Sequence, residues 1–249
     1  MAFRSRFTDF LALPYALVHL PMTPAQSFSA PARFDIEHAR FNMVEQQIRT
    51  WEVLDQSVLD LLFRVRREDY VPSACRELAF ADLEIPLGDG ERMWTPKMEA
   101  RVLQELELLP SDVVLEIGTG SGYLTALLAA RGADVTSVEI IPRLQSEAQA
   151  RLRRGGVANA RVVAGDAAQG YGSAQYDAIV LTGSTPVLPE AWLAQLKPGG
   201  RLFAVVGDAP AMTARLLRWT APGAITTEDL FETVIAPLQN AAQPRRFVF

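Results

Sequence analysis

Apolar and polar positions fall into two regimes along this chain, and the change comes near Asp112. Beyond it, short and nearly continuous apolar runs alternate with longer stretches of helical period. The runs predict strands at Val113–Ile117, Asp134–Glu139, Ala160–Ala164, Tyr176–Leu181 and Arg201–Val206, and the stretches between them predict helices at Gly122–Arg131, Pro142–Arg154 and Pro189–Leu196. Runs such as VVLEI and AIVL have no polar face to give to water, which implies a parallel sheet covered by helices on both sides. The tail departs from this alternation, and Met212–Thr220 and Ile225–Ala236 read as an antiparallel pair at the sheet edge. The predicted fold class is therefore α/β, doubly wound and Rossmann-like, with a mostly parallel seven-stranded sheet, an N-terminal helical segment and an antiparallel edge pair.

Upstream the period is helical. In Ile36–Trp51 the residues Ile36, Phe41, Val44 and Ile48 fall near one stripe, with Glu45, Gln46 and Gln47 outward. Asp55 can cap a second helix, Gln56–Phe63, that buries Val58, Leu59, Leu61 and Leu62. Arg64, Arg66 and Arg67 follow at its C-terminal end, where cations oppose the helix dipole and need no further explanation. Glu84–Pro96, punctuated by Pro86, Gly88, Gly90 and Pro96, reads as a loop, either a surface connection or a lid. Thr95 can cap the next helix, with Pro96 at its first position, over about Lys97–Leu108. The expected organisation is an extension at residues 1–33, a helical and substrate-loop region at 34–110, and a cofactor-binding domain at 111–249.

Composition narrows the classes. A chain of 249 residues, 49% hydrophobic and 21% charged, has ample material for a buried core. Its net charge of −5 argues against a general affinity for nucleic acid or anionic membrane, and leaves room for a local basic patch. Cys75 is the only cysteine and is accompanied by two histidines, which speaks against disulfides and zinc and fits a reducing, cytoplasmic setting. At the N-terminus Arg4 and Arg6 precede an apolar run, Phe10–Leu20, that superficially resembles a secretory signal. Asp9 and Pro14 weaken that reading. A poorly ordered extension, or a true start at Met22, is the expectation.

The chemistry centres on VVLEIGTGSGY, Val113–Tyr123, a strand feeding a glycine-rich turn that opens a helix. In an open parallel sheet the ligand lies beyond the carboxyl ends of the strands, beside the first strand. Gly118, Gly120 and Gly122, with Thr119 and Ser121 between them, let the backbone turn sharply and a cofactor approach without a Cβ in the way. Glu139 closes the second strand, where a carboxylate accepts both hydroxyls of a ribose. The dinucleotide fingerprint would want a third glycine at Tyr123, which is absent. Instead Glu116 stands at the strand end, favourable beside a sulfonium and an amino group and unfavourable beside a pyrophosphate. The expected cofactor is S-adenosyl-L-methionine. Asp166 after the third strand, or the backbone N–H of Ala167, is the expected partner of the adenine, the carboxylate for its amino group and the N–H for a ring nitrogen, against the alternative of a turn aspartate. Thr182, in the loop after the fourth strand, completes the candidate cofactor set.

From Phe41 to Leu238 the chain resembles the protein-L-isoaspartate O-methyltransferases. The resemblance rests on MVEQQI, REDYVP, ADLEIPLGDG, LEIGTGSGYLTALLA, GDA, LKPGGRL and APLQ, in that order. It implies a class I methyltransferase that esterifies isoaspartyl residues in damaged proteins. The family carries a loop resembling T-I-S-x-P, with its serine hydroxyl beside the methyl acceptor. Here the loop reads Arg92-Met93-Trp94-Thr95-Pro96, so Trp94 stands at the serine position and Thr95 offers a hydroxyl one place later. Trp94 and Thr95 are the candidate catalytic pair, against the alternative that one packs under the loop and the other caps a helix.

Transfer to a carboxylate is an in-line displacement by a nucleophile already ionised at neutral pH, and needs no general base. The Thr-Gly-Ser-Gly of the turn also breaks the GxSxG pattern of a hydrolase elbow. Thr182-Gly183-Ser184-Thr185 replaces the Asn/Asp-Pro-Pro-aromatic run common in enzymes that methylate exocyclic amines, and suits an anionic acceptor. Arg245 and Arg246 are further candidates to meet a carboxylate. Three readings stay open: an isoaspartyl carboxyl methyltransferase, a methyltransferase of the same fold with another protein or small-molecule acceptor, and a cofactor-binding protein without turnover.

Overall fold

A computed structural model describes residues 34–132, 134–221 and 224–244; the expected N-terminal extension and the Arg245–Arg246 pair lie outside the described residues. The alternation beyond Asp112 becomes strand β3 (Val113–Ile117), helix α4 (Tyr123–Ala129), β4 (Asp134–Glu139), α5 (Pro142–Arg154), β5 (Ala160–Ala164), β6 (Tyr176–Thr185), α6 (Glu190–Ala194), β7 (Leu196–Asp208), β8 (Ala211–Ala221) and β9 (Ala224–Glu232). They form a seven-stranded sheet in the order β5-β4-β3-β6-β7-β8-β9. The first five in that order are parallel, and the last two pairings are antiparallel. The sheet is thus the doubly wound, mostly parallel one that the apolar runs implied. Connections leave β3 toward β4 on one side and meet β6 on the other, which opens a crevice beyond its carboxyl end.

Before the sheet stand α1 (Ile36–Asn42), α2 (Gln56–Arg64), a hairpin of β1 (Ile85–Gly88) and β2 (Glu91–Met93), and α3 (Pro96–Glu105). Asp55 caps α2 through a bond from the Ser57 N–H at 2.8 Å, and the expected apolar face is buried. One apolar cluster joins this region to the sheet: Met43, Ile48, Leu59, Leu62, Met98 and Leu103 pack in the same core as Leu127, Val135 and Phe203. Among the described residues no helix is long and apolar enough to cross a membrane.

Three local expectations are corrected. Ile36–Trp51 is not one regular helix: α1 passes into a π-helical turn at Met43–Ile48 and a 3-10 turn at Arg49–Trp51. The Thr50 hydroxyl donates back to the carbonyls of Gln46 and Gln47 at 3.0 and 3.1 Å, a competition with the backbone ladder that bends helices. Phe41 is consequently not on the buried stripe and is 52% exposed, and the long polar Arg40 is buried instead, paired with Glu68 and Glu37. The Glu84–Pro96 segment is mostly a hairpin, turned by Asp89 and Gly90, both at positive φ (54° and 84°). Asp-Gly is the chemistry a two-residue hairpin turn demands. Finally, Thr95 sits at the N-cap of α3 but its side chain makes no capping bond.

Candidate functional site

Beyond the carboxyl end of β3 lies a cleft of about 810 Å³, its open mouth included. Its lining takes Glu116 from β3, Gly118, Thr119, Gly120 and Ser121 from the turn that follows and Glu139 from the end of β4. The hairpin and α3 add Arg92, Met93, Trp94 and Glu99, and β6 adds Thr182 and Gly183.

The turn is held from three directions. The Gly118 N–H donates to the Val138 carbonyl at 2.8 Å, the Gly120 N–H to Glu139 Oε2 at 2.8 Å, and the Ile141 N–H to Glu139 Oε1 at 3.0 Å. The Thr182 hydroxyl donates to the carbonyls of Ile117 and Gly118 at 2.9 and 2.6 Å. A Cβ on Gly118 would stand 2.2 Å from that hydroxyl, and its φ of +92° is one that side chains resist, so glycine is required there. A Cβ on Gly122 would meet Ala148 Cβ at 3.1 Å; this glycine serves the contact of α4 with α5 and does not line the cleft.

Glu116 is fully buried at the floor. Its Oε2 accepts from the Thr125 hydroxyl, and its Oε1 has no hydrogen-bond partner. Burial pushes its carboxyl up to about 7; the neighbouring hydroxyls of Ser137 and Thr125 pull the other way, and the nearby charge of Glu139 adds to the rise. Glu139 spends one acceptor position of each oxygen on the backbone and keeps the other, since a carboxylate oxygen accepts twice. A group with a cationic head and a pair of hydroxyls fits these two carboxylates, and the glycines, without Cβ atoms, let it approach the protein backbone closely.

Not every expected residue reaches the cleft. Tyr123 is buried beneath α4: its hydroxyl donates to the Val65 carbonyl at 3.3 Å, and its ring packs on Tyr70 and under the Arg67 guanidinium. Burial raises its phenol pKa far above the ordinary value, so it acts as a strut. Asp166 does not line the cleft; its Oδ1 accepts from the Ala168 N–H at 2.9 Å and its Oδ2 from Asn240 at 2.7 Å, the turn role that competed with adenine binding. Ala167 is likewise outside the lining, its carbonyl bonded to the Trp192 indole at 3.1 Å. Thr95 is outside it as well.

Trp94 lines the cleft while only 7% exposed, its ring edge-on to Phe203 at 6.4 Å. Its carbonyl accepts from Arg67, which also pairs with Glu99, both side chains buried. Two contributions escaped sequence reasoning. The segment Ala236–Gln239 lines the cleft because the Ser184 N–H bonds the Ala236 carbonyl and the Leu238 N–H the Ser184 carbonyl, both at 2.9 Å; Gln239 also donates to Glu91, tying this segment to the hairpin. The APLQ block was the available signal. Arg92 is exposed and its side chain makes no hydrogen bond or ion pair among the described residues.

A doubly wound sheet with a glycine turn after its first parallel strand, an orphaned acid at the strand end and a second acid closing the next strand defines an S-adenosylmethionine-dependent methyltransferase. Residues 38–243 match the protein-L-isoaspartate(D-aspartate) O-methyltransferase (PCMT) family. A protein-L-isoaspartate O-methyltransferase of Methanoculleus marisnigri is 43% identical over 169 residues, 68% of this chain and 77% of the relative. Among solved structures, a beta-aspartate methyltransferase of the same description from Plasmodium falciparum, in complex with S-adenosyl-L-homocysteine, superposes with a TM-score of 0.70 at 20% identity, covering 80% of this chain and 97% of that one. A further protein-L-isoaspartate O-methyltransferase structure gives 0.66 at 22% identity, over 82% and 65%. These two establish the shared fold. The chain belongs to the protein-L-isoaspartate(D-aspartate) O-methyltransferase family.

Proposed function

We propose that this chain transfers the methyl group of S-adenosyl-L-methionine to the free carboxylate of an isoaspartyl residue in a protein or peptide, and that it does so in the cytoplasm. The observation that carries the reading is the buried Glu116 carboxylate, half without partners, on the floor of the cleft beside Glu139. Glu116 would hold the cationic amino-acid end of the cofactor and Glu139 the ribose hydroxyls, while Gly118 and Gly120 give the close approach. Bound there, the cofactor supplies an electrophilic sulfonium methyl. The acceptor carboxylate is ionised at neutral pH, so this chain's residues need only position it and exclude water. The Trp94 ring supplies an apolar wall. Arg92 supplies a free cation in a lining that otherwise carries Glu84, Glu91, Glu99, Glu116 and Glu139, which would repel an anionic acceptor. The single cysteine of the sequence supports the reducing compartment.

A second reading, the same transfer to a different acceptor, is favoured by Trp94, whose ring stands where the family carries a hydroxyl. Incubation with labelled cofactor and an isoaspartyl peptide should give a base-labile methyl ester. Cofactor binding without transfer to that peptide would remove the first reading and leave the second.

A further inference from the structure

A second cavity lies away from the methyl-donor cleft, between the C-terminal end of α2, the segment that follows it, and the C-terminal end of α5. It encloses about 1480 Å³ with its mouth, and five arginines line it: Arg64, Arg66, Arg76, Arg151 and Arg154. The lining carries two carboxylates, and each has an arginine partner, although Glu68 keeps its second oxygen, Oε2, without a hydrogen bond. Glu68 is paired with the buried Arg40, and Asp69 with Arg76 at 3.3 Å. Arg151 is engaged by Glu147 at 3.1 Å and donates to the Ser121 carbonyl at 3.3 Å. Arg66 reaches Glu37 only at 3.6 Å. The side chains of Arg64 and Arg154, both exposed, make no hydrogen bond or ion pair with any described residue.

Helix dipoles explain part of this. Each helix C-terminus presents roughly half a negative charge, which one cation answers. Two such ends account for about one net charge between them, and Arg76 and Arg66 belong to neither helix. After the two carboxylates and both dipoles are set against the arginines, the cavity keeps an excess of positive charge in a chain whose net charge is −5. Burial lowers the pKa of Arg151; Glu147 opposes this, and the charges of Arg154 and Arg143 add to the lowering. Guanidinium groups present planar forks that match phosphate oxygens two at a time, and a concave site of this volume admits a small molecule.

We propose that this cavity is a second ligand site, for a small soluble anion carrying two or more phosphate groups. Arg64 and Arg154 supply the free forks, Arg66 and Arg76 join them on exchanging their weak surface partners, and Arg151 holds the rear wall against the glycine turn. Two sources share this chemistry, an inorganic polyphosphate and a nucleoside polyphosphate.

The test is calorimetry on the full chain with tripolyphosphate, ATP and sulfate at about 0.1 M salt, repeated on Arg64→Glu/Arg154→Glu. Both sites are exposed, and S-adenosylhomocysteine affinity serves as the control for folding. Tripolyphosphate or ATP should bind, each more tightly than sulfate, and the double substitution should weaken binding at least ten-fold with S-adenosylhomocysteine affinity unchanged. ATP much tighter than tripolyphosphate would assign the nucleoside form, and equal affinity the inorganic one. No binding of either, binding no tighter than that of sulfate, or binding unchanged in the double variant would overturn the proposal.

Discussion

The side of the cleft built by the hairpin and α3, proposed above as the acceptor side, and the side built by the ends of β3 and β4, proposed as the donor side, each contribute a buried glutamate, and the two are treated differently. Glu99 on α3 is locked to Arg67, which also holds the Trp94 carbonyl, so this acid is part of a strut that fixes the wall of the acceptor side. Burial pulls Arg67 down to about 10, a sign of how little water reaches the pair. Glu116 on β3 has no cation beside it among the described residues, and one of its oxygens bonds nothing. The buried pair answers its own charge and stiffens the fold, although Arg67 Nε keeps no hydrogen-bond partner. A buried acid held only by neighbouring hydroxyls, with no cation beside it, lowers stability until a cationic ligand arrives, the arrangement expected of a binding group.

The largest expected effect breaks the satisfied side. Arg67→Met leaves Glu99 buried and alone and should cost about 3–5 kcal/mol in urea unfolding, whereas adding Glu99→Met should restore most of it. A double variant no more stable than the single would remove the strut from the comparison.

The unsatisfied side is tested by pH. Glu116 titrates near 7 in the folded chain against an ordinary 4.5, so its contribution to stability is fully present below about 4.5 and is lost as pH rises to about 7. Unfolding of the cofactor-free protein should therefore show a decline of about 3 kcal/mol across that window that is missing in Glu116→Gln. Parallel curves for the two proteins would mean the acid is partnered in solution. Cofactor affinity should follow the opposite course in the wild type, strengthening as pH rises through 7, because the ligand's cation needs the ionised acid.

Glu139→Ala should weaken S-adenosylhomocysteine binding by about 1–3 kcal/mol through lost ribose bonds. Unchanged affinity in a titration would place the ribose elsewhere. The smallest effect belongs to the exposed cation of the acceptor side. Arg92→Ala should raise KM for an isoaspartyl peptide a few-fold, less at high salt, with cofactor affinity intact. A KM insensitive to both the substitution and salt would deny Arg92 any part in recognising the acceptor.

Local pattern determined much of this protein. Continuous apolar runs bounded by turn residues set the five parallel strands, because a strand covered on both faces leaves no other reading, and alternation in the tail set the antiparallel edge. The glycines and the two acids at successive strand ends marked the cleft, since such a turn has few other uses. Asp89-Gly90 carried a hairpin signal that the general description of a loop passed over.

Tertiary structure decided the rest, because it depends on pairs far apart in the chain. Nothing local tells that Arg67, expected with Arg64 at a helix end, instead opens a 3-10 turn beyond it and is drawn inside to meet a glutamate 32 residues on, while Arg64 stays in solvent. Nor does a motif tell that Asp166 turns to Asn240 and the next backbone, that Tyr123 points beneath its helix, or that Ala236–Gln239 returns to line the cleft. Periodicity reports which face of an element is apolar. Which partner a buried charge finds, and which charge is left without one, is settled only when the elements pack and water is removed from between them.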